Sequence, residues 1–130
     1  MKDNYKTISF ILFFTSILFF VNNSFGQKDF TKLKMSTDSS YGYTQNNPLP
    51  MKDGKYSNRI KNVFKFLSEL KTEDNQTLKF LWRIAYAPNT LDEFVLVTSK
   101  TNDTINIFTN IRKKGKLKLP IGLKYEQPKN

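Results

Sequence analysis

The chain has 130 residues, 21 Lys and Arg against 11 Asp and Glu, a net charge of +10, and neither histidine nor cysteine. That length builds one small domain. The missing imidazole and thiol exclude the commonest general base, thiol nucleophiles, disulfides and the usual zinc ligands.

Lys2 and Lys6 precede a continuous apolar run of 14 residues, "ISFILFFTSILFFV", from Ile8 to Val21. Ser24 and Gly26 then supply the small residues of a signal-peptidase site, which predicts an export signal over 1–26 cleaved before Gln27. The alternative is an uncleaved anchor, but 14 residues fall short of the roughly 20 that span a bilayer, so no retained membrane span is expected. No cysteine follows the run, which closes the bacterial lipid-attachment route. The mature chain of 104 residues would be periplasmic or secreted, and losing Lys2, Lys6 and Asp3 would take its charge from +10 to +9.

Residues 27–40 are polar and aperiodic and are expected to form a flexible leader, with the domain over 41–125 and a disordered tail over 126–130. The domain opens on "YGYTQNNPLP", Tyr41 to Pro50, where Gly42 frees the backbone and Asn47-Pro48 forces an extended exit. Asp53-Gly54 is a turn signal. Ile60, Val63, Phe64, Leu67 and Leu70 then recur at helical spacing, which predicts a helix from about Ser57 to Leu70, capped by Ser57 or Asn58, with Phe66 at the edge of the stripe.

After "KTEDNQ" the period becomes two. Leu78, Phe80, Trp82, Ile84 and Tyr86 alternate with Lys79, Leu81, Arg83 and Ala85, which predicts a strand with its aromatic face in the core. A second strand, Leu91 to Ser99, has an unbroken apolar Phe94 to Val97 and should be central. A turn at Asn102-Asp103 leads to a third strand, Thr104 to Ile111, burying Ile105, Ile107 and Ile111. Leu117 and Leu119 alternate with lysines as either a short fourth edge strand or an extended clasp. The expected fold is therefore α+β: a three-stranded antiparallel meander packed against one amphipathic helix.

Without histidine, a serine triad has no base, and no carboxylate pair visibly converges; Asp92 and Glu93, adjacent on a strand, point to opposite faces. No metal or other cofactor is expected. The densest charge is Arg112, Lys113, Lys114, Lys116 and Lys118, five cations in seven residues that can hold phosphate or acidic sugars, or can simply guard a sheet edge. Anionic lipid, lipopolysaccharide or an acidic glycan are the ligands this charge suits, and a protein partner is a further candidate. Interleaved Phe80, Trp82 and Phe94 could stack bases, but export and the lack of an RNP-like pattern argue against nucleic acid.

In order and spacing, "YGYTQNNPLP", "NRIKNVFKFLSEL", "NQTLKFLWRIAY", "LDEFVLVTSKTNDTINIFTNI" and "LKLPIGLKY" resemble small exported proteins of Bacteroidetes, especially flavobacteria. The correspondence runs through Tyr41, Gly42, Tyr43, Thr44, Asn47, Pro48, Arg59, Leu70, Arg83, Pro120 and Gly122. The chain departs from that pattern with "APNT" where the family often has a Gly-Ser-Cys-Cys turn, with Leu123 where it has Phe, and in lacking a lipobox cysteine. Family members are of unknown function, so the resemblance implies location and fold rather than activity. An aldolase name borne by some similar proteins, 2-dehydro-3-deoxyphosphooctonate aldolase, implies a barrel of about 250 residues, which this chain is too short to build.

The sequence thus predicts a small exported module, not an enzyme, that binds an envelope component or another protein. Tyr41, Tyr43, Asn47 and Arg83 are its candidate contact residues, and Arg112, Lys113, Lys114, Lys116 and Lys118 its candidate anion site. The alternatives are an envelope-sugar hydrolase or lyase working through carboxylates with Tyr41 or Tyr43, and an inhibitor or immunity-type partner of a secreted protein.

Overall fold

The computed structural model describes residues 29–88 and 90–126. The predicted signal over 1–26 and the end of the predicted tail lie outside the described residues. The elements run β1 (Leu49–Pro50), α1 (Tyr56–Ser68), β2 (Leu70–Thr72), β3 (Leu78–Tyr86), β4 (Leu91–Thr98), β5 (Thr104–Asn110) and β6 (Leu123–Tyr125). The class is α+β, but the sheet is more than a meander. It has four strands in the order β1-β5-β4-β3, and β2 and β6 form a separate antiparallel ribbon.

The three-strand part follows from the pattern. β4 lies between β3 and β5, antiparallel to both, and five consecutive residues from Asp92 to Leu96 are buried, as a central strand requires. Ile107 and Ile111 are buried and Ile105 packs against the core. Asn102 takes a left-handed φ of 59° at the β4–β5 turn, a conformation asparagine tolerates.

The fourth strand comes from Leu49–Pro50, not from Leu117 and Leu119 as one reading expected. It pairs parallel with β5, Leu49 opposite Thr109, and Pro50 is tolerated there because an edge strand need not donate on its outer side. Leu117 and Leu119 are buried as an extended clasp: Met35 and Leu119 form a parallel bridge, with Ser36 N–H on the Leu119 carbonyl and Leu119 N–H on that of Lys34.

Helix α1 starts one residue before the predicted Ser57, and Lys55 occupies the N-cap position without a side-chain cap, so neither Ser57 nor Asn58 plays that part. Its buried residues are Val63, Phe66 and Leu67. Phe66, expected at the stripe's edge, is fully buried; it meets Phe30 edge-on at 5.2 Å between ring centroids and stacks on Tyr125 at 6.0 Å. The stripe is thus turned toward a second wall made by Phe30 and the β2–β6 ribbon. Residues 29–40, expected to be a flexible leader, are irregular but supply Phe30 to the core and Met35 to the bridge.

Candidate functional site

The three contact residues expected in the opening stretch use their polar atoms inside the fold. The Tyr41 hydroxyl accepts the Lys118 backbone N–H at 3.0 Å, and the Tyr43 hydroxyl donates to the Ile121 carbonyl at 2.6 Å. Burial pushes both hydroxyls above the ordinary tyrosine value, with Glu73 adding to the rise at Tyr43. Asn47 Nδ2 donates to Asp38 Oδ2 at 2.9 Å and to Ser40 Oγ at 3.0 Å. Asp38 also accepts the Ser40 backbone N–H, which chiefly lowers its pKa. Gly42, at φ 80°, donates to the Asn47 carbonyl and accepts from Phe108 N–H, both at 2.8 Å, so the stretch docks onto β5.

Arg83 sits elsewhere. Its Nε and Nη2 form a two-pronged pair with the buried Asp92 carboxylate at 2.9 and 3.0 Å, and its guanidinium lies 5.9 Å from the Phe94 ring centroid. Glu93 faces the opposite side of β4, accepting from the Tyr86 hydroxyl at 2.5 Å and from Asn106 Nδ2 at 2.7 Å. The bond to Glu93 is the main cause that raises the Tyr86 pKa. Asp92 and Glu93 are therefore bound separately on opposite faces of β4. An open cleft of about 320 Å³ beside Arg83 and Asp92 is walled by Tyr56, Ile60, Pro88 and Ile111.

The basic run is an irregular loop. Asn110 Oδ1 accepts the backbone N–H groups of Arg112 and Lys113 at 2.9 and 3.0 Å, ending β5, and Leu117 is buried. Arg112, Lys114 and Lys116 are exposed, while Lys113 and Lys118 are half-buried. The predicted cations thus share one segment, but it is not the edge strand that the guarding role would need.

Strand β3 also departs from its sequence pattern. Its aromatic face was expected in the core, yet Phe80 is 49% exposed, Leu81 43%, Trp82 53% and Ile84 41%. Two causes act together. The register slips between Phe80 and Trp82, where Phe80 opposes Leu96 and Trp82 opposes Val95, so Leu81 is the extra residue of a bulge. After the bulge the faces exchange: Phe80 and Arg83 lie with Leu96 and Phe94 on the helix side, and Trp82 and Ile84 lie with Val95 and Glu93 on the other. In addition β3 is the end of the sheet, paired along its length with β4 alone among the described residues. Lys71 bridges Thr77 just before β3 starts, so the open edge begins beyond that point.

A hint of this was present in "FLW", which breaks strict alternation, and in the two cations Lys79 and Arg83 on the same strand. Phe64, 41% exposed, extends the apolar surface from the helix, its ring 5.8 Å from that of Phe80. Among the described residues no group of three or more Asp or Glu could hold a metal ion, and no helix is long and apolar enough to cross a membrane.

Comparison with protein-family models, with curated proteins and with solved structures found no match.

Proposed function

We propose that this is a non-enzymatic interaction module of the bacterial cell envelope that captures a partner protein on β3. The observation that carries the reading is the long edge strand itself: four large apolar side chains, Phe80, Leu81, Trp82 and Ile84, are each more than a third exposed along it. Large apolar side chains exposed together along one strand of a small domain favour a contact site. The envelope location rests on the export signal read in the sequence and on the resemblance to exported Bacteroidetes proteins.

The test is affinity capture from envelope extracts with the wild-type chain and with a Trp82→Glu, Ile84→Lys variant, both checked for unchanged melting. A protein retained by the wild type and lost by the variant supports the reading. Equal retention by both would overturn it.

The exposed Arg112, Lys114 and Lys116 favour a second, additive part: electrostatic retention near anionic lipid, lipopolysaccharide or acidic glycan. Replacing Lys113, Lys114 and Lys116 with Gln should abolish salt-sensitive retention on vesicles containing phosphatidylglycerol. If retention by that variant matches wild type, the electrostatic part is wrong.

A further inference from the structure

We infer that the occupant of β3 is an extended strand of a partner protein, apolar on both sides of its backbone and acidic where it passes Lys61 and Lys79, added to the open edge of the sheet. This deepens the interaction reading above and rests on it.

The first ground is that apolar side chains straddle the edge. Trp82 and Ile84 stand on the face away from the helix. Phe80 and Phe64 stand on the helix side, where with Leu78 and Leu96 they line a shallow cavity of about 130 Å³, and Leu81 is exposed at the bulge between the two sets. Successive side chains of an added strand point alternately to the two faces, so each would find an apolar neighbour. After the bulge, Trp82 to Tyr86 keep an unbroken register with β4, which leaves a regular stretch of outer edge as the template.

The second ground is charge. The segments α1 and β3 together carry Arg59, Lys61, Lys65, Lys79 and Arg83 and not one carboxylate. Of the two β4 carboxylates beneath β3, Asp92 is held by Arg83, and Glu93 accepts from Tyr86 and Asn106. Approaching acidic residues therefore meet the exposed Lys61 and Lys79, which favours encounter with the matching strand and penalises a basic one.

The same two grounds argue against other occupants. A second copy pairing through its own β3 would set two Lys79-bearing edges of like charge side by side. A membrane would place the unpaired N–H and C=O groups of a sheet edge in hydrocarbon, where nothing satisfies them.

The experiment uses the full chain expressed with its own leader and follows backbone amide exchange. The probes are a peptide of about 10 residues with a Val, Ile and Phe centre and paired Glu at each end, the same peptide with Lys for Glu, and the acidic peptide with a central Pro. The acidic peptide should slow the outward amides of Trp82 to Tyr86 by at least about tenfold. The Lys and Pro peptides should not, and Lys61→Glu with Lys79→Glu should weaken the acidic peptide about tenfold.

Equal slowing by the Lys or Pro peptide, or no slowing by any peptide, would overturn strand addition. So would slowing that needs only phosphatidylglycerol vesicles, or only a higher concentration of the chain itself. Loss of partner capture in the Trp82→Glu, Ile84→Lys variant, without slowing by any peptide, would sink this inference and leave the interaction reading standing.

Discussion

The hydroxyl of Tyr41 accepts the backbone N–H of Lys118 at 3.0 Å, tying the opening stretch to the clasp segment 77 residues later. Tyr43 makes the parallel tie to the Ile121 carbonyl. The two rings of the opening stretch thus work as fasteners for the C-terminal clasp, and Gly42 between them brings the chain onto β5. Tyr41→Phe leaves the Lys118 N–H without its partner in a part-buried site and should cost about 1–3 kcal/mol in urea unfolding. Tyr43→Phe, whose lost partner is a carbonyl near the surface, should cost about 1 kcal/mol. Negligible losses in both variants would contradict the fastener role.

Gly42 and Gly54 both have positive φ, 80° and 66°, so each resists a side chain. They differ in surroundings. A Cβ at Gly42 would stand 2.9 Å from Leu49 Cδ2 and 3.0 Å from Pro120 Cγ, whereas one at Gly54 meets nothing within 4 Å. Gly54→Ala should cost about 1 kcal/mol from the backbone alone, and Gly42→Ala distinctly more, from overpacking added to that strain. Thermal melts of the two variants check the order.

The Arg83–Asp92 pair sets up an asymmetric result. Arg83→Leu leaves a buried carboxylate without its partner and should cost about 2 kcal/mol, less than for a fully buried pair because Arg83 is about a third exposed. Adding Asp92→Leu to Arg83→Leu should recover most of that loss, since an apolar pair has nothing left to satisfy. Denaturant midpoints of the single and double variants measure it. A double variant less stable than the single would refute the explanation.

Stability should fall at alkaline pH. Tyr41, Tyr43 and Tyr86 have hydroxyl pKa values raised above 10.0, the first two chiefly by burial and the third by its bond to Glu93. A raised folded-state value means the fold favours the neutral hydroxyl. That contribution is complete below pH 10 and is lost as pH climbs through the folded values. The informative comparison is a Tyr41→Phe, Tyr43→Phe variant, whose melting temperature should decline less steeply above pH 10 than that of the wild type.

The central strand was legible because Phe94 to Val97 is an unbroken apolar run, and the helix because its apolar spacing is 3.6. Phe66 was misjudged because its neighbours, Phe30 and Tyr125, lie in stretches without period, where a single buried ring leaves no pattern. Trp82 and Ile84 were assigned to the core because alternation shows that a strand has two unlike faces but not whether anything covers the apolar one. The bulge at Leu81 compounded this, since one inserted residue exchanges every face beyond it. Among the candidate site residues, Tyr41, Tyr43 and Asn47 were visible as unusual, and the structure shows them bonded inward. The exposure of β3 showed in the sequence only as the broken alternation of "FLW" and the cations Lys79 and Arg83.

Site-specific photocrosslinking in the producing cell tests the claim about β3 most directly. A photoreactive residue placed at Trp82 or Ile84 should give a discrete adduct with one partner protein, while the same residue at Lys114 or Lys116 gives none with that partner. Adducts from the basic loop with none from β3 would contradict the account.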